Sequence, residues 1–180
     1  MKISKKYFFS ALAISASCML STLAQAAPNT ITFTGTVSDT TCTATIDGGV
    51  TAIAMGTTSV ADLKAYTYGA AKNFSFKLAD CPTTEEGGST IARVTFGGEA
   101  DSANSDYFKN QATSEAASGV AVAIFDNAGN LLKNNVEGAD VDISSGEATI
   151  PFTVKMAKSG SADPTKGAVQ TTVTYNVTYY

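Results

Sequence analysis

The sequence predicts an all-β protein, a sandwich of short strands, and three observations carry that expectation. Runs that alternate apolar with polar residues recur along the chain, and threonine, valine and aromatic residues fill them. Gly, Asn, Asp and Pro clusters separate the runs as turns do. The third observation is the C-terminal stretch, where Val169, Thr171, Val173, Tyr175, Val177 and Tyr179 alternate with Gln170, Thr172, Thr174, Asn176, Thr178 and Tyr180. That period of two gives a strand with one apolar and one polar face. It runs to the last residue of the sequence, and an unpaired apolar strand edge invites pairing by another chain. Either the rest of the fold covers this edge or a partner does.

The elements follow in order. Residues 1–26 read as a secretory signal peptide: Lys2, Lys5 and Lys6 form a basic start, an apolar run follows, and Ala24-Gln25-Ala26 supplies a small-x-small cleavage site. A lipoprotein signal ending at Cys18 is disfavoured, because Ser15 stands where an aliphatic residue is needed. Cleavage after Ala26 leaves residues 27–180 as one domain, long enough for a real core. Thr30-Ile-Thr-Phe-Thr-Gly-Thr-Val37 alternates, with Ile31, Phe33 and Val37 in one phase. Thr41-Cys-Thr-Ala-Thr-Ile46 is a second strand, ended by the turn Asp47-Gly48-Gly49, and residues 50–55 form a third. Residues 57–64 fit either one helical turn or a crossing segment.

Asn73 to Cys81 sets Phe74, Phe76 and Leu78 on one face, and Pro82 ends that strand. After the turn-rich residues 83–89 comes a strand over residues 91–96. Residues 97–118 are small and polar and read as a long surface loop with a little structure around Tyr107-Phe108. A strand over residues 119–125 precedes the hairpin signal Asp126-Asn-Ala-Gly-Asn130, and Leu131-Leu132 starts the return. Residues 147–156 place Ala148, Ile150, Phe152, Val154 and Met156 on one face, with Pro151 opposite them, which predicts a sheet edge or a bulge. Eight or so strands with little helix indicate an immunoglobulin-like sandwich.

Composition excludes several functions. Three of the twelve basic residues and no acidic ones lie in residues 1–26, so residues 27–180 carry nine basic against sixteen acidic groups, a formal charge of −7. Bulk electrostatics do not draw such a chain to nucleic acid. With no histidine there is no conventional triad and no imidazole metal ligand. Carboxylates such as Asp101, Asp106, Glu85 and Glu86 fall in turn-rich segments and read as solvated charge. The expectation is no catalytic site, no metal and no cofactor. Cys42 and Cys81, the pair left beyond the signal, read as a disulfide in an oxidising compartment. Closing that loop contributes roughly 4 kcal/mol in the chain-entropy model.

These residues resemble one known family, the subunits of chaperone–usher fimbriae of the type 1 pilin class from Gram-negative bacteria. The family carries a penultimate aromatic residue and a glycine fourteen residues from the end; here these are Tyr179 and Gly167. Phe33-Thr-Gly35 ahead of Cys42, the strand ending Leu78-Ala-Asp-Cys81, and Val122-Ala-Ile-Phe-Asp-Asn-Ala-Gly129 are similar to other family motifs. The resemblance covers residues 27–180.

The resemblance implies an incomplete immunoglobulin-like sandwich that a donor strand from a neighbouring subunit completes, a known form of β-strand addition. It implies a groove beside the C-terminal strand, formed by Gly167, Val173, Tyr175, Val177 and Tyr179. A periplasmic chaperone fills it first, and the next subunit's N-terminal segment replaces the chaperone. Residues 27–33 are then a short donor segment, with Asn29, Ile31 and Phe33 pointing into the neighbour's groove. Left in water, each groove side chain forfeits about 1.5–3 kcal/mol. The implied partners are identical or related pilin subunits, the chaperone and an outer-membrane usher, with export through the periplasm to a fimbrium on the cell surface that serves adhesion. Two alternatives stand beside this structural role. One is a minor or tip subunit that binds a host-cell receptor through residues 97–118. The other is a free-standing periplasmic immunoglobulin-like binding domain with a complete core.

Overall fold

The computed structural model describes residues 30–35 as backbone, together with residues 42–81 and 90–180. The expected signal peptide, Asn29, Val37 and Pro82 lie outside the described residues. Eleven strands and one helix follow in order: β1 Thr30–Gly35, β2 Thr43–Ile46, β3 Ala52–Ala54, α1 Val60–Tyr66, β4 Lys72–Ala79, β5 Ile91–Gly98, β6 Phe108–Lys109, β7 Val120–Phe125, β8 Leu131–Leu132, β9 Val141–Asp142, β10 Ala148–Lys158 and β11 Thr171–Tyr179. They form two sheets, β3-β1-β11-β5-β9 and β2-β4-β10-β7-β6, with β8 beside β7. The all-β immunoglobulin-like sandwich expected from the alternation is what the chain forms.

The period-two pattern explains the core directly. Phe74, Phe76 and Leu78 of β4, Val94 and Phe96 of β5, Ile150, Phe152, Val154 and Met156 of β10, and Val173 and Val177 of β11 are buried between the sheets. Five rings mesh at the centre: Phe76 lies 5.3 Å from Phe152, 5.7 Å from Phe96 and 4.6 Å from Tyr175 between centroids, while Phe74 lies 5.5 Å from Phe152. Cys42 and Cys81 are joined as a disulfide.

β7 is buried on both faces. Val120, Val122 and Ile124 enter the core, whereas Ala121, Ala123 and Phe125 pack outside the sheet with Tyr107, Ala157, Tyr68 and Leu131. Tyr68 and Tyr107 share a 2.7 Å hydroxyl–hydroxyl hydrogen bond above this patch. Burial, the larger cause, and that bond both hold the Tyr107 hydroxyl well above the usual tyrosine range.

The ambiguous segment before β4 is a helix. Ser59 caps α1 by accepting a hydrogen bond from the Asp62 amide at 3.0 Å, and Leu63 is buried. Seven residues are too few for a helix to persist alone. It is retained by Leu63 in the core and by the Lys64–Asp163 ion pair to the loop before β11.

Pro151 stands in β10, an interior strand, rather than on an edge strand. Its partner in β4 is Ser75, and Ser75 turns its carbonyl to the Asp47 amide and its amide to the Asp47 carboxylate, on the β2 side. Ladder alternation therefore points the Pro151 nitrogen away from β4, toward β7. The β7 ladder begins only at Thr153, opposite Phe125, so at Pro151 the strand is locally an edge and needs no donor there.

The ring cluster is the main store of stability. Phe76→Ala should cost about 3–5 kcal/mol, because Phe76 is fully buried and touches rings from three other strands. Urea denaturation should show a lowered midpoint with the disulfide intact; a midpoint within error of the unsubstituted protein would contradict this packing.

Candidate functional site

The strand β11 is the element to which the rest of the first sheet is fitted. On one side it pairs antiparallel with β5, from Val173 opposite Gly98 to Tyr179 opposite Ala92. On the other side β1 runs parallel to it, with Ile31 opposite Thr171, Phe33 opposite Val173 and Gly35 opposite Tyr175. β1 also pairs antiparallel with β3, through Thr30–Ala54, Ile31–Ile53 and Thr32–Ala52. β1 thus fills a slot one strand wide between β3 and β11. The edge at which a neighbour's strand is expected is occupied by the chain's own N-terminal strand. The pairing stops at Tyr175, and among the described residues no strand lies against Asn176–Tyr179 on that side.

The expected groove residues divide between core and rim. Val173 and Val177 are buried, and Tyr175 and Tyr179 are half-buried against the same core. Thr171 shares this inward face and is only 1% exposed. Ile31 and Phe33, two of the expected donor residues, lie in β1.

Gly167 has a different local role from the one its place near the groove suggests. Its φ is +155°, and a Cβ there would collide with the Ala117 amide nitrogen and the Glu115 carbonyl oxygen. That closeness lets the Ala168 amide donate to Glu115 and the Ala117 amide donate to Ala168. Residues 97–118 are therefore not simply a solvated loop. Tyr107 and Phe108 are buried, and residues 110–117 are bonded to the start of β11. Asn110 donates to the carbonyls of Ala117 and Ala168 and accepts from the Gln170 amide. Gln111 accepts from the Thr172 amide.

The far end of β11 is held as firmly. The Tyr180 carbonyl oxygen accepts from the amides of Thr90 and Ile91, and its amide donates to Ile91. Its hydroxyl donates to Glu137 at 2.8 Å, and the Arg93 guanidinium lies 4.6 Å from its ring centroid. Arg93 also pairs with Glu137 and Asp140. The Tyr180 hydrogen bond first, then that of Arg93, holds the Glu137 carboxyl below the usual range. Sequence reasoning missed both clamps. Asn110 and Gln111 sit in a run without periodicity, and the one available signal for the other clamp was Arg93 as a charge on the outward phase of β5.

No group of three or more His, Cys, Asp or Glu residues that could hold a metal occurs among the described residues. No helix among them is long and apolar enough to cross a membrane. What the site offers is a strand-shaped slot with hydrogen-bonding edges and an apolar floor, suited to binding an extended peptide.

The chain belongs to the fimbrial protein family, whose model matches residues 31–180. It is 30% identical over 176 residues to the probable major fimbrial subunit LpfA of Escherichia coli O157:H7, with 97% of each chain covered. It is 31% identical over 154 residues to the laminin-binding fimbrial subunit ElfA of the same organism, with 83% of each covered. Its fold is similar to the crystal structure of the P pilus rod subunit PapA, with a TM-score of 0.64 and 22% identity, covering 77% of this chain and 99% of that one. The chain is a structural fimbrial subunit, and its place is a surface fimbrium.

Two outcomes test the clamps. Gly167→Ala should lower stability by about 1–3 kcal/mol as backbone segments are forced apart, and hydrogen exchange at the Ala117 and Ala168 amides should quicken. For Glu137, the folded-state value lies below the ordinary one, so its contribution is present above the normal carboxylate range and is lost as pH falls through the lowered value. The urea midpoint should fall on acidification, and Glu137→Gln should flatten part of that fall; an unchanged pH profile would remove Glu137 from the clamp.

Proposed function

We propose that the chain polymerises head to tail by exchange of N-terminal strands, each copy lending its β1 segment to the slot between β3 and β11 of the next. The observation that carries this reading is the slot itself. It is filled by a terminal strand that is held by sheet pairing on both sides and precedes Cys42, so the strand can leave without unthreading any other element. In this reading residues 1–26 are removed as a signal peptide, and residues 27–180 are the fimbrial domain. Val173, Tyr175, Val177 and Tyr179 form the slot floor, and Asn29, Ile31 and Phe33 belong to the donor.

A vacated slot would expose apolar side chains and two unpaired strand edges, which favours aggregation. A periplasmic chaperone strand that occupies it during export, and an outer-membrane usher that coordinates release, meet that physical need. The role is assembly and adhesion rather than catalysis. A receptor-binding role through residues 97–118 has less support, because that segment spends Asn110, Gln111, Tyr107 and Phe108 on internal contacts.

The test is to shear filaments from the producing bacterium, image them by negative stain, and identify their protein and its N-terminus by mass spectrometry. Thin fibres made mainly of this chain beginning at Ala27 are expected. A chain lacking residues 27–35 should form no fibre by itself, having nothing to donate, and should enter fibres of the intact chain only at an end, where its slot accepts a strand. Recovery only as a soluble monomer would instead favour the free-standing domain, with β1 as a permanent strand.

A further inference from the structure

Two buried side-chain oxygens or nitrogens among the described residues lack any hydrogen-bond partner, and both lie on β11: the Thr171 hydroxyl and the Tyr179 hydroxyl. Both residues are in the odd-numbered phase of β11, which faces the core and borders the slot. They stand at opposite ends of the strand. Thr171 is 1% exposed, and its register partner in β1 is Ile31. Tyr179 lies on the length of edge that β1 does not reach. A buried hydroxyl without a partner is destabilising, since water would have bonded it in the unfolded chain. Two on one strand, at the two ends of one slot, place that cost on the state in which the chain fills its own slot.

Building on the strand-exchange reading, we propose that these hydroxyls are polar reading points of the slot, and that the N-terminal strand of a second copy satisfies one of them through Asn29. In residues 29–35 the phase of Ile31, Phe33 and Gly35 contains one polar residue, Asn29. Its amide side chain both donates and accepts, so it can meet either hydroxyl. In the described register pairing with β11 begins at Ile31, and neither hydroxyl is bonded. A strand from another molecule is free of the short connection to Cys42 and can take a different register or direction. In one direction Asn29 arrives at Thr171, and in the other at Tyr179. The hydrogen bond gained, and the orphaned group relieved, favour the foreign strand over the chain's own by about tenfold.

The experiment uses the purified chain beginning at Ala27. Its polymerisation is followed by light scattering, its monomer stability by the urea midpoint, and its uptake of a synthetic peptide of residues 27–37 by fluorescence anisotropy. Thr171→Val and Tyr179→Phe should each raise the monomer midpoint, because each removes an orphaned group. One of them should also slow polymerisation and weaken peptide binding about tenfold, while Thr171→Ser behaves as the unsubstituted chain. An Asn29→Ala peptide should lose the same factor on the unsubstituted chain and no more on the variant that has lost its partner hydroxyl. Coupling to Thr171 or to Tyr179 supports the proposal and reports the direction of entry. Coupling to neither, or a lowered midpoint in both hydroxyl variants, overturns it. If the unsubstituted chain neither polymerises nor binds the peptide, the strand-exchange reading itself fails, and this proposal falls with it.

Discussion

A strand inside a sheet must satisfy both of its hydrogen-bonding edges, and in this protein one edge of β11 is satisfied by the strand β1, which is removable in principle. β11 supplies Val173, Tyr175 and Val177 to the core, and Tyr175 packs at a tilt against Phe76 at the centre of the ring cluster. The floor of the slot and the centre of the core are thus the same side chains. Whatever strand occupies the slot therefore acts on the stability of the whole sandwich, and an empty slot would leave apolar surface in water at about 25 cal/mol per Å².

The acceptor side is built to outlast such a change of strand. β11 keeps its ladder to β5 on the other edge. Its start is fixed by the close passage of residues 115–117 over Gly167 and by the four hydrogen bonds of Asn110. Its end is fixed by the main chain of Thr90 and Ile91 and by the Arg93–Glu137–Asp140 group. None of these contacts uses β1. The arrangement anchors β11 independently of β1, so the proposed strand exchange would not require the core to reorganise.

Much of this was legible in the sequence because burial imposes a period of two. The inward residues of β4, β7, β10 and β11 follow directly from alternation, and the pairing of Cys42 with Cys81 follows from their being the two cysteines left beyond the signal. Four things were not legible. Residues 97–118 lack periodicity because they bind β11 through side-chain amides and backbone, not through an apolar face. Pro151 suggested an edge strand, since strand order across a sheet is not written in any local pattern; only the early end of β7 makes its missing donor harmless. The helix α1 was ambiguous because seven residues carry too little pattern, and its cap and its Leu63 anchor become decisive only in the tertiary fold. The donor segment is the hardest case. Ile31 and Phe33 have the same alternation whether their strand belongs to this sheet or to a neighbour's, because both slots have the same chemistry.

The position of the disulfide follows from the same division. Cys42 is the last residue before β2, and Cys81 lies just beyond the end of β4. β2 and β4 are paired from Thr43 opposite Ala79 to Ile46 opposite Phe76, so the covalent link sits at the open end of that ladder, on the side from which β1 arrives. A strand pulled out of the slot transmits tension along the chain to Cys42 and no further. Without the bond, β2 is an edge strand of four residues that could peel away after β1, carrying Ile46 from the core. In the proposed exchange, the disulfide would mark the boundary between the part of the chain that exchanges and the part that must stay folded while it does so.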